Sequence, residues 1–164
     1  EIESHWQLTH QLRWDLALGY LKTEFVDYSF YQEGENDDSV LIVKDGRAQA
    51  HAPEYSLATG LAYAINHAFT FSIESEAKDE FYFSDSHDEK SEAYILLHAS
   101  AKYKRENLTL SLDGHNLTNK DYATRGFFFG NDPRLADNEG NLPSINYTSL
   151  GAPRLISLSA RYDF

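Results

Sequence analysis

The chain of 164 residues contains no cysteine, no methionine and only four prolines. The lack of cysteine excludes disulfide frameworks, thiolate metal sites and cysteine nucleophiles. Because no initiator methionine is present, we expect the chain to be part of a longer protein, and a missing signal peptide then says nothing about its compartment. No stretch approaches the ~18 consecutive apolar residues of a membrane helix. A helical membrane protein is therefore excluded.

Charge is unbalanced, with a formal net charge of −12. Nucleic acid is excluded as a partner, because phosphate binding needs clusters of Lys and Arg. The acidic residues gather in three segments that we predict to be loops: Glu33, Glu35, Asp37, Asp38, then Asp79, Glu80, Asp85, Asp88, Glu89, then Asp132, Asp137, Glu139. These loops are either a solvated surface or a site for divalent cations that bridge to lipopolysaccharide.

Apolar and polar residues alternate strictly from Ile156 to Phe164, which is typical of a strand with one apolar face. The same period predicts about seven strands in all, with no convincing helix. Of the other six strands, the first is expected to end at Leu8. The remaining five are expected at 12–20, 55–66, 69–78, 95–104 and 108–113.

The connections between these strands alternate between short and long. Short turns are predicted near Thr9, Asn66 and Lys104, and long polar segments at 26–53, 79–92 and 117–153. Transmembrane β-barrels of the bacterial outer membrane have short periplasmic turns and long extracellular loops. A soluble antiparallel sandwich would also have one apolar face per strand. However, its connections are shorter, and the second face here is rich in Ser, Thr, Gly and Ala, so we predict an antiparallel transmembrane β-barrel.

One segment resembles a known family. Residues 116–126 read Asn-Leu-Thr-Asn-Lys-Asp-Tyr-Ala-Thr-Arg-Gly, which is similar to a segment before the last loop of TonB-dependent outer-membrane receptors. The resemblance extends to Pro153-Arg154 and the terminal aromatic, and to His51-Ala52-Pro53-Glu54-Tyr55 upstream.

This resemblance implies a barrel of about 22 strands around a plug. Residues 1–164 would form the carboxy-terminal segment of that barrel, with the plug domain absent and upstream. The localisation would be the bacterial outer membrane, with lipid, lipopolysaccharide and, through the plug, the TonB complex as partners. The barrel-assembly machinery would read the terminal signal formed by Leu158, Ala160, Tyr162 and Phe164.

The predicted function is import of a scarce ligand such as a ferric siderophore, without a cofactor and without enzymatic chemistry. Aromatic rings and Arg suit iron chelates through stacking and charge-assisted hydrogen bonds. The candidate ligand-binding residues in the loops are Tyr31, Phe83, His87, Tyr122, Arg125, Phe128, Asp132 and Arg134. His98 and His115 are interpreted as polar lumen residues rather than as a metal pair. The alternatives are a passive porin and a soluble β-sandwich that binds carbohydrate.

Overall fold

The computed structural model describes residues 1–33, 38–129, 133–137, 140 and 142–164. These residues form eleven strands and a short 3₁₀ turn at Pro133–Leu135. Among them, no helix has the length and apolar character needed to span a membrane. The strands are β1 (Ile2–Gln7), β2 (Leu12–Tyr20), β3 (Ser29–Glu33), β4 (Ser39–Val43), β5 (Tyr55–Ala64), β6 (Phe69–Lys78), β7 (Tyr94–Arg105), β8 (Leu108–His115), β9 (Ala123–Phe129), β10 (Ile145–Leu150) and β11 (Leu155–Tyr162).

Seven strands form one sheet in the order β1-β2-β5-β6-β7-β8-β11. Every neighbouring pair in this sheet is antiparallel. The seven strands are those predicted from the alternation of apolar and polar residues. The prediction of an antiparallel β-barrel fragment is confirmed, and the sheet of this chain is not closed into a barrel by itself.

The four remaining strands correct the prediction for two long connections. β3 pairs with β4 between residues 26 and 53, and β9 pairs with β10 between residues 117 and 153. These segments are therefore hairpins rather than continuous polar loops, and the chain has more strands than predicted. Their strands are short, and residues 40–43 of β4 are all apolar, so this strand lacks the period of two that we required.

Two of the three short turns are stabilised by hydrogen bonds to a side chain of the turn. The Thr9 hydroxyl accepts the backbone N–H of Gln11 and Leu12. The Asn66 amide oxygen accepts the N–H of Ala68 and Phe69. Such side-chain acceptors favour turns because they replace the lost ladder hydrogen bonds.

The antiparallel register gives the main sheet one apolar and one polar face. Leu112 lies opposite Ala101 on β7 and Leu158 on β11, whereas Ser100 lies opposite Ser72 on β6 and hydrogen-bonds to it at 2.8 Å. The apolar face is open, with Leu158 78% exposed. A soluble sandwich would bury this face against a second sheet. The described residues show no such sheet, so the sandwich interpretation has no support.

Aromatic rings lie toward both ends of the apolar face. Trp6 stacks on Trp14 at 4.6 Å toward the short-turn end, and Tyr20 contacts Tyr55 at 5.2 Å at the other. Two bands of rings on either side of an aliphatic zone are characteristic of outer-membrane barrels, because aromatic side chains favour the membrane interface.

Candidate functional site

The long connections pack together around a small aromatic cluster. The His51 ring lies 5.6 Å from that of Phe81 and 6.0 Å from that of Phe127, and Phe81 meets Phe83 edge-on at 5.8 Å. Phe81 and Phe83 are among the few buried apolar residues that the structure describes. Because these residues come from all three long segments, the cluster fixes the segments against one another.

Gly126 on β9 makes this packing possible. A Cβ atom at Gly126 would overlap the ring of Phe83. Phe83, predicted as a ligand contact, is 7% exposed and therefore a packing residue of the loop cluster.

Beside the aromatic cluster, two cations share one carboxylate oxygen. Lys44 Nζ and Arg47 Nη1 each donate to Asp88 Oδ1 at 2.8 Å. Arg47 also donates from Nη2 to the Ser84 carbonyl at 2.7 Å. We call Lys44, Arg47 and Asp88 the clasp, because they connect the 44–51 segment to the 79–92 segment.

The Tyr82 ring lies between two positive groups. The Arg47 guanidinium is 4.0 Å from the ring centre, and Lys90 Nζ is 4.5 Å from it. Lys90 also donates to Glu80 at 2.7 Å, and this hydrogen bond raises the pKa of Lys90. These cation–π contacts reinforce the attachment of the 79–92 segment.

His87 and Phe128 are the predicted ligand contacts that the structure brings together. Their ring centres are 3.7 Å apart. Burial, followed by the positive charges of Lys44 and Arg47, lowers the pKa of His87. A neutral imidazole beside a phenyl ring is a surface on which a flat ligand can stack.

The other predicted loop residues lie in different surroundings. Tyr31 is 72% exposed on β3, opposite Leu41. Arg125 is exposed on β9, and Arg134 is exposed in the 3₁₀ turn. Asp132 lies outside the described residues.

Tyr122 is a packing residue of the segment that resembles the receptor family. Its ring lies 4.6 Å from that of Tyr94 and rests against Gly151, where a Cβ atom would overlap it. Tyr122 therefore anchors the chain between β8 and β9 to the approach of β11.

Asn116, the first residue of that segment, holds the same corner through hydrogen bonds. It is 2% exposed, and its Nδ2 donates to the carbonyls of Lys120 and Ala152, while Oδ1 accepts the Lys120 N–H. Asn119 Oδ1 accepts the Arg154 N–H. The segment thus has a structural role, because it joins the end of β8 to the start of β11.

His98 and His115 are neighbours on the polar face, with ring centres 5.4 Å apart. The Asn116 N–H donates to His98 Nδ1 at 3.4 Å. Among the described residues, no three His, Asp or Glu side chains are arranged to hold a metal ion.

The proposed terminal signal lies on the apolar face of β11. Leu158 and Ala160 lie opposite Leu112 and Leu110, and the ring of Tyr162 is 5.1 Å from that of Phe164. Recognition of these residues by the assembly machinery remains a prediction.

The sequence alone does not predict the clasp, because its members are far apart in the chain. The available signal was two cations, Lys44 and Arg47, in a segment flanked by acidic runs.

No protein-family model matches the chain, and no curated protein matches it by sequence. Solved structures do match. The ferric yersiniabactin uptake receptor FyuA from Yersinia pestis has a TM-score of 0.74 at 17% identity, covering 99% of this chain and 22% of its own. The siderophore receptor PiuA from Acinetobacter baumannii has a TM-score of 0.69 at 15% identity, covering 95% and 20%. The copper transporter OprC has a TM-score of 0.62 at 18% identity, covering 98% and 22%.

The chain thus spans about a fifth of the length of the receptors that it matches. These neighbours are all TonB-dependent receptors. The likeness extends over nearly the whole chain. The chain therefore has the fold of a part of the β-barrel of TonB-dependent receptors.

Proposed function

We propose that the chain is the carboxy-terminal barrel segment of an outer-membrane, TonB-dependent receptor that imports a ferric siderophore. The observation that carries the proposal is the seven-stranded antiparallel sheet with an exposed apolar face and a polar opposite face. Such a sheet is stable when lipid covers the apolar side and water the other. Two of the structural neighbours are described as a siderophore receptor and a ferric yersiniabactin uptake receptor, which supports the choice of ligand.

The polar face supports a hydrated passage. A groove on this face is lined mainly by small and charged side chains, among them Ala58, Gly60, Arg13, Glu74 and Lys102. Polar, mixed-charge walls are typical of the interior of large outer-membrane barrels. In the proposed receptor this wall surrounds the plug, through which the TonB complex acts.

The loops supply part of the ligand-binding mouth in this proposal. His87 and Phe128 offer adjacent rings, and Tyr31 and Arg125 are exposed on the two hairpins. Arg134, Tyr122 and Phe83 support the surrounding surface, and Asp132 remains a proposed ligand contact. Lipopolysaccharide contacts the outer rim, and the assembly machinery binds Leu158, Ala160, Tyr162 and Phe164.

Iron uptake tests the proposal directly. The gene that encodes this chain is expressed in a bacterial strain without its own siderophore receptors, with and without a functional TonB. We expect uptake of radiolabelled iron from at least one ferric siderophore when TonB is present. Without TonB the cells should still bind the chelate, but uptake should be lost.

The same measurement distinguishes the alternatives. Uptake of small solutes that does not depend on TonB would indicate a passive porin and would contradict the proposal. A protein that fractionates with the soluble proteins and does not bind any ferric chelate would contradict both the receptor and the porin.

A further inference from the structure

The clasp contains more positive than negative charge. Lys44 and Arg47 bring two positive charges to one oxygen of Asp88, so one positive charge is left over. Both cationic side chains are largely buried, at 15% and 6% exposure, whereas the Asp88 side chain is 78% exposed. The carboxylate is thus the accessible and replaceable partner of two fixed cations.

Arg47 also has an unused donor. Its Nε is buried and has no hydrogen-bond partner among the described residues. A buried donor without an acceptor costs free energy. The rest of the guanidinium is held in place by the Ser84 carbonyl and the Tyr82 ring.

The positive field of the clasp reaches the neighbouring aromatic surface. Burial is the largest cause of the lowered pKa of His87; the charges of Lys44 and Arg47 lower this pKa further, and Asp88 opposes them. His87 in turn contacts Phe128 at 3.7 Å between ring centres. A stacking surface therefore lies beside a pair of preorganised cations, in a chain that is otherwise strongly acidic.

We infer that Lys44 and Arg47 form a subsite for an anionic ferric chelate, whose carboxylate or catecholate oxygens replace those of Asp88. The inference rests on the proposed import function and specifies the charge of its ligand. Asp88 acts as an internal competitor: it keeps the two cations paired until the chelate arrives. The chelate then contacts the His87–Phe128 surface beside them.

Removal of the competitor tests the subsite. The probes are ferric dicitrate and a ferric catecholate as anionic chelates and ferrioxamine B as a cationic one, bound to the full-length receptor in outer-membrane vesicles. Asp88→Asn should tighten binding of an anionic chelate about fivefold, because one negative charge no longer competes. It should not tighten binding of ferrioxamine B. Lys44→Gln should weaken anionic binding by a similar factor.

Glu89→Gln is the matched control, since it removes the same charge from the adjacent, exposed residue. It should leave anionic binding unchanged. If Asp88→Asn weakens binding, or behaves as Glu89→Gln does, the clasp only holds the loops and the subsite is wrong. If the wild-type protein binds ferrioxamine B but neither anionic chelate, the subsite is wrong and the proposed import function still stands. Failure of all the chelates to bind would overturn both.

Discussion

At the scale of single residues, the corner between β8 and β11 is held together by the hydrogen bonds of a buried polar residue, Asn116. Asn116 has a positive φ of 47°, which Asn tolerates better than most residues. Its amide forms three hydrogen bonds to backbone groups of residues 120 and 152. The identity of this residue therefore follows from backbone geometry and from the need to pair buried carbonyls.

Replacement of Asn116 by Ala should destabilise the folded protein. Three hydrogen bonds at about 1 kcal/mol each are lost, so we expect a decrease of about 3 kcal/mol in the free energy of unfolding. Urea titration of the protein refolded in lipid vesicles measures it. Asn107→Ala is the control, because Asn107 is exposed in the turn before β8. Equal effects of the two substitutions would contradict the role of Asn116.

At the scale of elements, the period of two decides which face of each strand is apolar. On β5, Leu61 lies between Trp14 and Ile73 on the apolar face, and Ala58 lies beside Glu76 on the polar face. Leu61 is 42% exposed, because the apolar side chains of the adjoining strands lie beside it and none lies over it. Lipid is the environment in which this exposure is stabilising.

An arginine scan of one strand separates the two faces. Leu61→Arg places a charge in the hydrocarbon layer and should cost about 2 kcal/mol of folding free energy in vesicles. Ala58→Arg places the same charge on the wetted face, close to Glu76, and should be nearly neutral. Comparable losses at both positions, measured by the same urea titration, would show that lipid does not cover the Leu61 face.

The elements also show where sequence reasoning reaches its limit. The long strands follow from alternation over eight or more residues, because each side chain alternately faces lipid or water. The strands of the β3–β4 and β9–β10 hairpins are only five to seven residues long, so alternation in them is too short or too irregular to predict a strand. Their pairing depends on contacts with other loops, such as that of Phe83 with Gly126.

At the scale of the whole molecule, little of the apolar surface is buried by the chain itself. Among the described residues the buried apolar side chains are Phe81, Phe83, Tyr94 and Leu96. Exposed ones extend across the whole sheet, from Ile2 on β1 to Phe164 after β11. Apolar patches of this extent mark a surface that another apolar phase covers.

Residues 1–164 expressed alone should therefore aggregate in aqueous buffer and disperse in detergent. The apolar face and the unpaired edges of β1 and β11 both promote association. Sedimentation and size-exclusion chromatography with and without detergent measure this. A soluble monomer with a cooperative thermal transition in plain buffer would contradict a membrane-facing sheet.

The residues of the candidate site are only partly predictable from the sequence. His87 and Phe128 were chosen as aromatic loop residues, and the structure places them in contact. Phe83 and Tyr122 were chosen for the same reason, and both turned out to pack against glycines. Residue type alone does not distinguish an exposed ring from a buried one, because aromatic side chains suit both environments.

The amino-acid sequence by itself determined the seven strands of the main sheet, the short turns and the two faces of each strand, because these depend on residues that are near in the chain and repeat with the period of a strand. Only the tertiary structure decided how the loops meet. Lys44 and Asp88 are 44 residues apart, and their ion pair forms because the aromatic cluster folds the two segments together. No local pattern encodes such a contact, since it depends on the packing of segments that are distant in the chain.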